Sequence, residues 1–342
     1  MQIGMFDEER RLEKISEIGD SLEKLNRVVN WEMFRPILNQ VFKKEMRGKG
    51  GRPPYDYVML FKILVLQRIY NLSDEQTEYQ IYDRMSFMRF LGLTLSDRVP
   101  DAKTIWLFRD TLTQAKVIRR IFELFNKQLE EAHLITRTGT IVDATFVEAP
   151  RQHNSHEEKE KIKKGEVPEE WQKPENKNKL RQKDTDAKWT RKANVAHYGY
   201  KNHVKADAES KVITNYETTT ASVHDSQVLP ELLDEKDQVI YADSAYWGAP
   251  VREALPEGIK NEIQERSTKQ KALTQEQKEN NNRKAKTRCR IEHIFGFMTV
   301  KMHGLSLRSI GIERADFNIG LTNLVYNLFR YEFFCRKGLV KG

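Results

Sequence analysis

The chain has 342 residues, and 58 Lys+Arg against 50 Asp+Glu leave a formal charge of +8, with a pI near 9.2. Its 16 Phe, 12 Tyr and 5 Trp, spread along the length, exclude a uniformly disordered chain. Its two cysteines, Cys289 and Cys335, exclude a disulfide scaffold and offer no metal-ligand spacing. The length suits about two domains. The opening MQIGMFDEERRLEK has no apolar core of a signal peptide. No apolar run approaches the roughly 18 residues a bilayer needs. The nearest, Ile319 to Phe334, is interrupted by Asn323, Asn327, Arg330 and Glu332. A soluble, intracellular, reduced protein is expected. Its basic balance points to nucleic acid, an anionic membrane or an acidic protein as partner.

Helical periodicity opens the chain, with apolar positions at Leu22, Leu25, Val28, Val29, Phe34, Ile37, Leu38 and Val41. The run Arg47-Gly-Lys-Gly-Gly-Arg-Pro-Pro54 breaks it, as a linker or as a basic arm on phosphate. Tyr57 to Tyr70 is a strongly apolar helix. Ser73 is placed to cap the next, with Gln76 in the capping-box position, and that helix is expected to reach about Phe90. Gly92 and Pro100 bracket a turn before a helix capped at Asp101 or Thr104 and running through Leu112. This pair of helices suits either a helix-turn-helix or a plain bundle. Lys103, Arg109 and Lys116 on its second helix are candidate phosphate contacts.

The period changes near Thr136, and Thr140-Ile-Val-Asp-Ala-Thr-Phe-Val147 reads as a strand. Residues 151–190 hold 11 Lys+Arg and 9 Asp+Glu with little apolar content, which predicts a solvated, mobile insertion. Strands follow at His197–Val204 and Lys211–Thr219. Asp225 is expected to cap a helix to Leu233. Gln238–Ala242 is a short buried strand ending at Asp243. A helix near Val251–Ala254, a strand near Ile259–Ile263, a long helix over Thr274–Val300 and a last one over Arg314–Phe334 complete a mixed α/β sheet with packed helices.

Three acids stand among apolar neighbours: Asp143 inside a strand, Asp243 at a strand end, and Glu292 beside Ile291, Ile294 and Phe295. Carboxylates in such places need a counter-charge or a metal. Asp243 can instead cap a turn, and Glu292 can pair with Arg288 one turn earlier. If the strands of Asp143 and Asp243 are neighbours, with Glu292 laid across their edge, the site is rich in oxygen. Mg²⁺ or Mn²⁺, as two ions, suits it and suits phosphodiester chemistry. Residues 260–290 carry 10 Lys+Arg against 4 Asp+Glu, and Arg283, Lys284, Lys286, Arg288 and Arg290 are candidates to track DNA phosphates. His293 reads as structural. Ser222, His224 and Asp225 are too close in sequence for a hydrolase triad. Trp189 and Trp247 read as core residues rather than base-stacking platforms.

Together the segments resemble the bacterial insertion-sequence transposases of the DDE type, in the insertion-sequence-five group. The blocks are Ile141-Val-Asp143-Ala-Thr; Asp184-Thr-Asp186-Ala-Lys-Trp189-Thr with His197-Tyr-Gly-Tyr200-Lys-Asn-His203-Val; Thr220-Ala-Ser-Val-His224-Asp225-Ser; Val239-Ile-Tyr-Ala-Asp243-Ser-Ala-Tyr-Trp-Gly248; and Arg288-Cys-Arg-Ile-Glu292-His293-Ile-Phe295-Gly. The resemblance implies a helical, helix-turn-helix-like DNA-binding domain over 1–131. After it comes an RNase H-like α/β catalytic domain over 132–334, a mixed sheet with flanking helices. It implies Asp143, Asp243 and Glu292 as catalytic and metal-binding triad. It further implies double-stranded DNA as partner (transposon ends and target), a homodimer at synapsis, no membrane, and a cytoplasmic, nucleoid-associated location. In the family, a Tyr, two residues, Arg, three residues, Glu, six residues and Lys surround the glutamate. Here Arg288 is in place, while Ala285 and Thr299 stand at the Tyr and Lys positions. The implied reaction is cleavage of terminal inverted repeats followed by attack of the 3′-hydroxyls on target DNA. A domesticated DNA-binding protein and an RNase H-fold nuclease without strand transfer are the alternatives.

Overall fold

The computed structural model describes residues 7–43, 53–192, 194–248, 251, 255–256, 258–267, 272–304 and 306–340. Most of the Arg47–Pro54 break, and most of the helix expected at Val251–Ala254, lie outside the described residues. The chain divides into two compact units, Met1–Lys127 with Leu324–Gly342, and Gln128–Asn323.

The first unit is helical: α1 (Asp7–Ile18), α2 (Ser21–Val28), a 3₁₀ turn (Trp31–Phe34), α3 (Arg35–Val41), α4 (Tyr57–Tyr70), α5 (Asp74–Asp83), α6 (Met85–Leu91), α7 (Ala102–Gln114) and α8 (Ile118–Glu131). Helix α4 is buried on every side from Val58 to Ile69, as an all-apolar helix must be. Asp56 caps its start by accepting from the Met59 amide at 2.9 Å, and left-handed Asn71 ends it. Around it Trp31, Phe34, Phe61, Phe90 and Phe125 form an aromatic cluster. Ser73 and Gln76 make the reciprocal capping box, and Asp101 caps α7 through the Thr104 amide at 2.7 Å. The helix expected to run to Phe90 is two helices, because Arg84 takes an extended conformation between them.

The second unit holds the sheet: β1 (Thr140–Glu148), β2 (Lys188–Lys192), β3 (Val195–Asp207), β4 (Ile213–Thr220), β5 (Val239–Tyr241) and β6 (Lys260–Asn261). Strands β1 and β4 pair antiparallel with β3, β5 pairs parallel with β1, and β6 pairs parallel with β5. Three antiparallel strands continued by two parallel ones, in the spatial order β4-β3-β1-β5-β6, are an RNase H-like sheet. One face is covered by α12 (Asp225–Leu232), whose Val228, Leu229 and Leu232 pack with Val142, Ile240 and Tyr246. The other face carries α13 (Gln275–Arg288), α14 (Arg290–Lys301) and the start of α15 (Ile312–Arg336), and there Asn202 and Asn323 exchange amide hydrogen bonds. The long helix expected over Thr274–Val300 is interrupted only at Cys289, the shared cap of α13 and α14.

Residues 151–190 are folded, contrary to the solvated insertion their composition suggests. They form α9 (His156–Lys163), α10 (Glu169–Gln172), α11 (Lys177–Arg181) and β2. Trp171 is fully buried, its Nε1 donates to Glu158 at 2.7 Å, and Lys179 and Lys183 lie over its ring. One tryptophan and Ile162 suffice for this small core because the charges pair locally. Asp184 is buried as well, accepting from Tyr200 Oη at 2.8 Å and from the Gly311 amide at 3.1 Å, while Asp186 accepts from Ile312 N at 2.9 Å. The Asp184-Thr-Asp186 block thus caps α15, where carboxylates meet the positive end of the helix dipole. Asp225 is not the cap of α12. His224 is, and Asp225 is the first helical residue.

Candidate active site

The parallel register pairs Thr140 with Ile240 and Ile141 with Tyr241, a constant offset of 100 residues. Continued by two residues, the same offset brings Asp143 beside Asp243 on one sheet face, since alternate strand residues share a face. That face is the one carrying α13 and α14. Asp243 Oδ1 accepts from the Ala245 amide at 2.8 Å, so the residue also caps the 3₁₀ turn Ser244–Tyr246. Asp143 Oδ1 is fixed by the Ala144 amide at 2.8 Å.

Burial pushes the Asp143 carboxyl up to about 6 from 3.8, and the charge of Asp243 pushes the same way; the Ala144 amide, Arg288 and Lys192 oppose them. Asp143 is therefore reluctant to ionise, with too little positive charge around it. Arg288 supplies part of what is missing. Its guanidinium sits 3.4 Å from Asp143 Oδ2 and 3.0 Å from Glu292 Oε1, bridging strand and helix. Glu292 is therefore on the site's rim, its side chain 63% exposed and turned to Arg288. Among the described residues no three carboxylate, histidine or cysteine groups stand close enough to hold a metal ion. The paired aspartates do fit a hard divalent cation, being all-oxygen donors in a site short of positive charge. Glu292 joins them only by leaving Arg288.

The other candidates separate by their partners. Lys284 is buried and donates to the Ile263 carbonyl at 2.9 Å, so it fastens α13 to the end of the sheet and is not a phosphate contact. Arg109 is likewise internal. It makes two 2.7 Å bonds to Asp74 and one of 3.1 Å to Gln67, tying α7 to α5 and α4. Arg283 pairs with Glu262 at 2.9 Å while keeping an exposed side chain, and Arg290 donates to the Ala208 carbonyl at 2.8 Å. Lys103 and Lys286 are exposed. Trp189 is no core residue, being 53% exposed.

Two groups escaped sequence reasoning. Lys192 contributes positive field at Asp143, and the run Lys188-Trp-Thr-Arg-Lys192 was its only signal. On the opposite sheet face, Lys201 donates to Asp225 Oδ1 and to the Val223 carbonyl, each at 2.7 Å, locking the start of α12 onto β3. His203 beside it is buried and held neutral, with burial lowering its pKa to about 4. These bonds fasten α12 to the sheet face opposite Asp143.

A family model described as the transposase DDE domain matches residues 135–328, more than half of the chain. The chain belongs to the DDE transposase family. A second model, described as a transposase domain, matches residues 10–111, and the combination is that of bacterial insertion-sequence transposases. The transposase is also similar to the piggyBac transposase, solved by cryo-EM as a synaptic complex with hairpin DNA. That likeness has 13% identity and a TM-score of 0.44, covering 92% of this chain and 74% of the other. No helix among the described residues of the transposase is long and apolar enough to cross a membrane.

Proposed function

We propose that this DNA transposase, of the insertion-sequence-five group, cuts the terminal inverted repeats of its element and joins the freed 3′-hydroxyls to target DNA. Asp143, Asp243 and Glu292 are its catalytic carboxylates. The observation that supports this reading is that the parallel register of β1 and β5, continued two residues past Tyr241, sets Asp243 beside Asp143, where its charge acts on the Asp143 carboxyl. Both steps are phosphoryl transfers at one site, and neither needs a covalent protein intermediate.

Asp143 and Asp243 would hold Mg²⁺ or Mn²⁺, as two ions, with Glu292 completing the set. Bound there, such ions lower the pKa of an attacking water and stabilise the leaving oxygen. The chain's own groups do the positioning. The Ala144 and Ala245 amides fix the two aspartates, so their geometry is set before substrate arrives. Arg288 offers a planar fork of donors at the same spot. Arg288, now shared between Asp143 and Glu292, has the geometry to hold a phosphate oxygen there instead. Arg283, Lys286 and Arg290, on the helices that flank Arg288, are the further DNA contacts of this reading, and Lys103 belongs to the helical region, residues 1–131, assigned to end binding. Residues 132–334 form the catalytic domain. Synapsis of two ends calls for a homodimer, working in the cytoplasm on the nucleoid.

The test is Mg²⁺-dependent cleavage and joining on a duplex carrying the end of the encoding element and its flank. Cleavage at the end followed by joining supports the reading. Salt-dependent binding without cleavage indicates a DNA-binding protein that no longer transposes, and cleavage without joining indicates a nuclease.

A further inference from the structure

Strand β3 is longer than its neighbours. Its pairing with β1 stops at Gly199 and with β4 at Tyr200, while β2 pairs with it from Val195 to Gly199. The outer part of β3 therefore continues beyond both neighbours as a two-stranded ribbon with β2. Register places the ribbon's residues relative to the aspartates. Asp143 faces Val204, and Trp189 faces Tyr198. Directly opposed residues share a face, and Val204 and Tyr198 are an even number apart on β3. Trp189 thus lies on the face that carries Asp143. The ribbon does not run on straight: Phe146, opposite Lys201, stacks on His197 with ring centroids 4.1 Å apart, and Lys192 at its tip lies 6.0 Å from the same ring, so the ribbon coils back toward the end of β1.

The ribbon has a composition suited to a polyanion. Trp189, half exposed, leans on Tyr198 with ring centroids 5.0 Å apart, and the Arg151 guanidinium lies 5.8 Å over its indole. Arg191 follows two residues later on the same face, and it and Arg151 are exposed. Lys192 stands on the reverse face near Phe146. The acid Glu148 also belongs to the reverse face by alternation, whereas Lys188 is spent on the Ile162 carbonyl. A flat indole flanked by two guanidinium groups presents an apolar platform for a sugar and two forks for phosphate oxygens.

We propose that Arg151, Trp189 and Arg191 form a second DNA-contacting element. It grips duplex DNA to one side of the phosphate at the aspartates. The proposal rests on the transposase acting on DNA. The ribbon holds the backbone, carries no sequence information of its own, and sets the angle at which the duplex crosses the catalytic face.

The experiment measures, against salt concentration, the affinity of the full chain for a random-sequence duplex and for a duplex bearing the element's end. The Arg151→Ala, Arg191→Ala double variant should lose affinity for both duplexes alike and lower the salt slope by about 2, at roughly 0.9 per phosphate contact. Trp189→Phe should keep affinity and Trp189→Ala lose it, with unchanged melting curves confirming intact folds. A photo-crosslinking amino acid at position 189 should mark the paired backbone beside the cut. An unchanged slope in the double variant, or crosslinks confined to unpaired bases, overturns the proposal. If the wild type itself binds DNA without salt dependence, the DNA reading fails along with it. If only the variants behave as wild type, the ribbon alone fails.

Discussion

Asp143→Asn should make the metal-free transposase more stable. In the folded chain the Asp143 carboxyl has its pKa raised from 3.8 to about 6, mainly by burial. Its ionised form is therefore disfavoured by folding. Below about pH 4 the group is protonated in both states and costs nothing. As pH rises toward 6 the unfolded chain ionises first, and above 6 the penalty is complete. At ~1.4 kcal/mol per pH unit the interval corresponds to about 3 kcal/mol. Asparagine keeps the shape and the bond from the Ala144 amide without the charge. The 3.4 Å contact with Arg288 is already included in that figure, so a net stabilisation of up to about 3 kcal/mol is expected near pH 8 and little near pH 4. Urea denaturation followed by tryptophan fluorescence at the two pH values reads this directly. Mg²⁺ at a hundredfold excess over its Kd should add about 2.7 kcal/mol to the wild type and little to the variant. A variant destabilised near pH 8, or a wild type indifferent to Mg²⁺, would refute the reasoning.

Other substitutions probe other parts of the structure. Lys62 is buried over Trp31 and Phe90, and burial lowers its pKa to about 8. The charged form is thus disfavoured in the fold, so stability should rise as pH climbs from about 8 toward 10.5. Lys62→Met should raise the melting temperature at neutral pH and abolish that rise. Trp171→Ala should cost about 3–5 kcal/mol within the small core of residues 151–190, seen as new protease cleavage there while the sheet stays protected. Arg109→Ala should lower the melting temperature without changing the salt slope of DNA binding, because its charge is spent on Asp74 and Gln67.

Much of the fold could be read from local chemistry. Helix α4 announces itself by having no polar face, Ser73 and Gln76 by their spacing, and β1 by β-branched residues around a single acid. The nearness of Asp143 and Asp243 was conditional in the sequence on their strands being neighbours, and the parallel register supplies that condition. What stayed hidden was the partner of each charge. Lys284 and Arg109 look like their exposed neighbours until a carbonyl or a carboxylate is found at their tips. Residues 151–190 look solvated because a core of one tryptophan leaves almost no periodic signal. Residue type alone points Trp189 inward, yet its place on the β2 ribbon leaves it 53% exposed. Asp225 has the chemistry of a cap, but Lys201 claims its carboxylate and leaves the cap to His224.

The most direct test of the carboxylate assignment is the rate of strand cleavage at the element's end, with Mg²⁺, for the wild type beside Asp143→Asn, Asp243→Asn and Glu292→Gln. Each variant should bind the end as the wild type does and cut it about a thousandfold or more slowly, a loss of about 4 kcal/mol in transition-state stabilisation. Cleavage at the wild-type rate by any of the three would contradict the assignment of that residue to the chemistry.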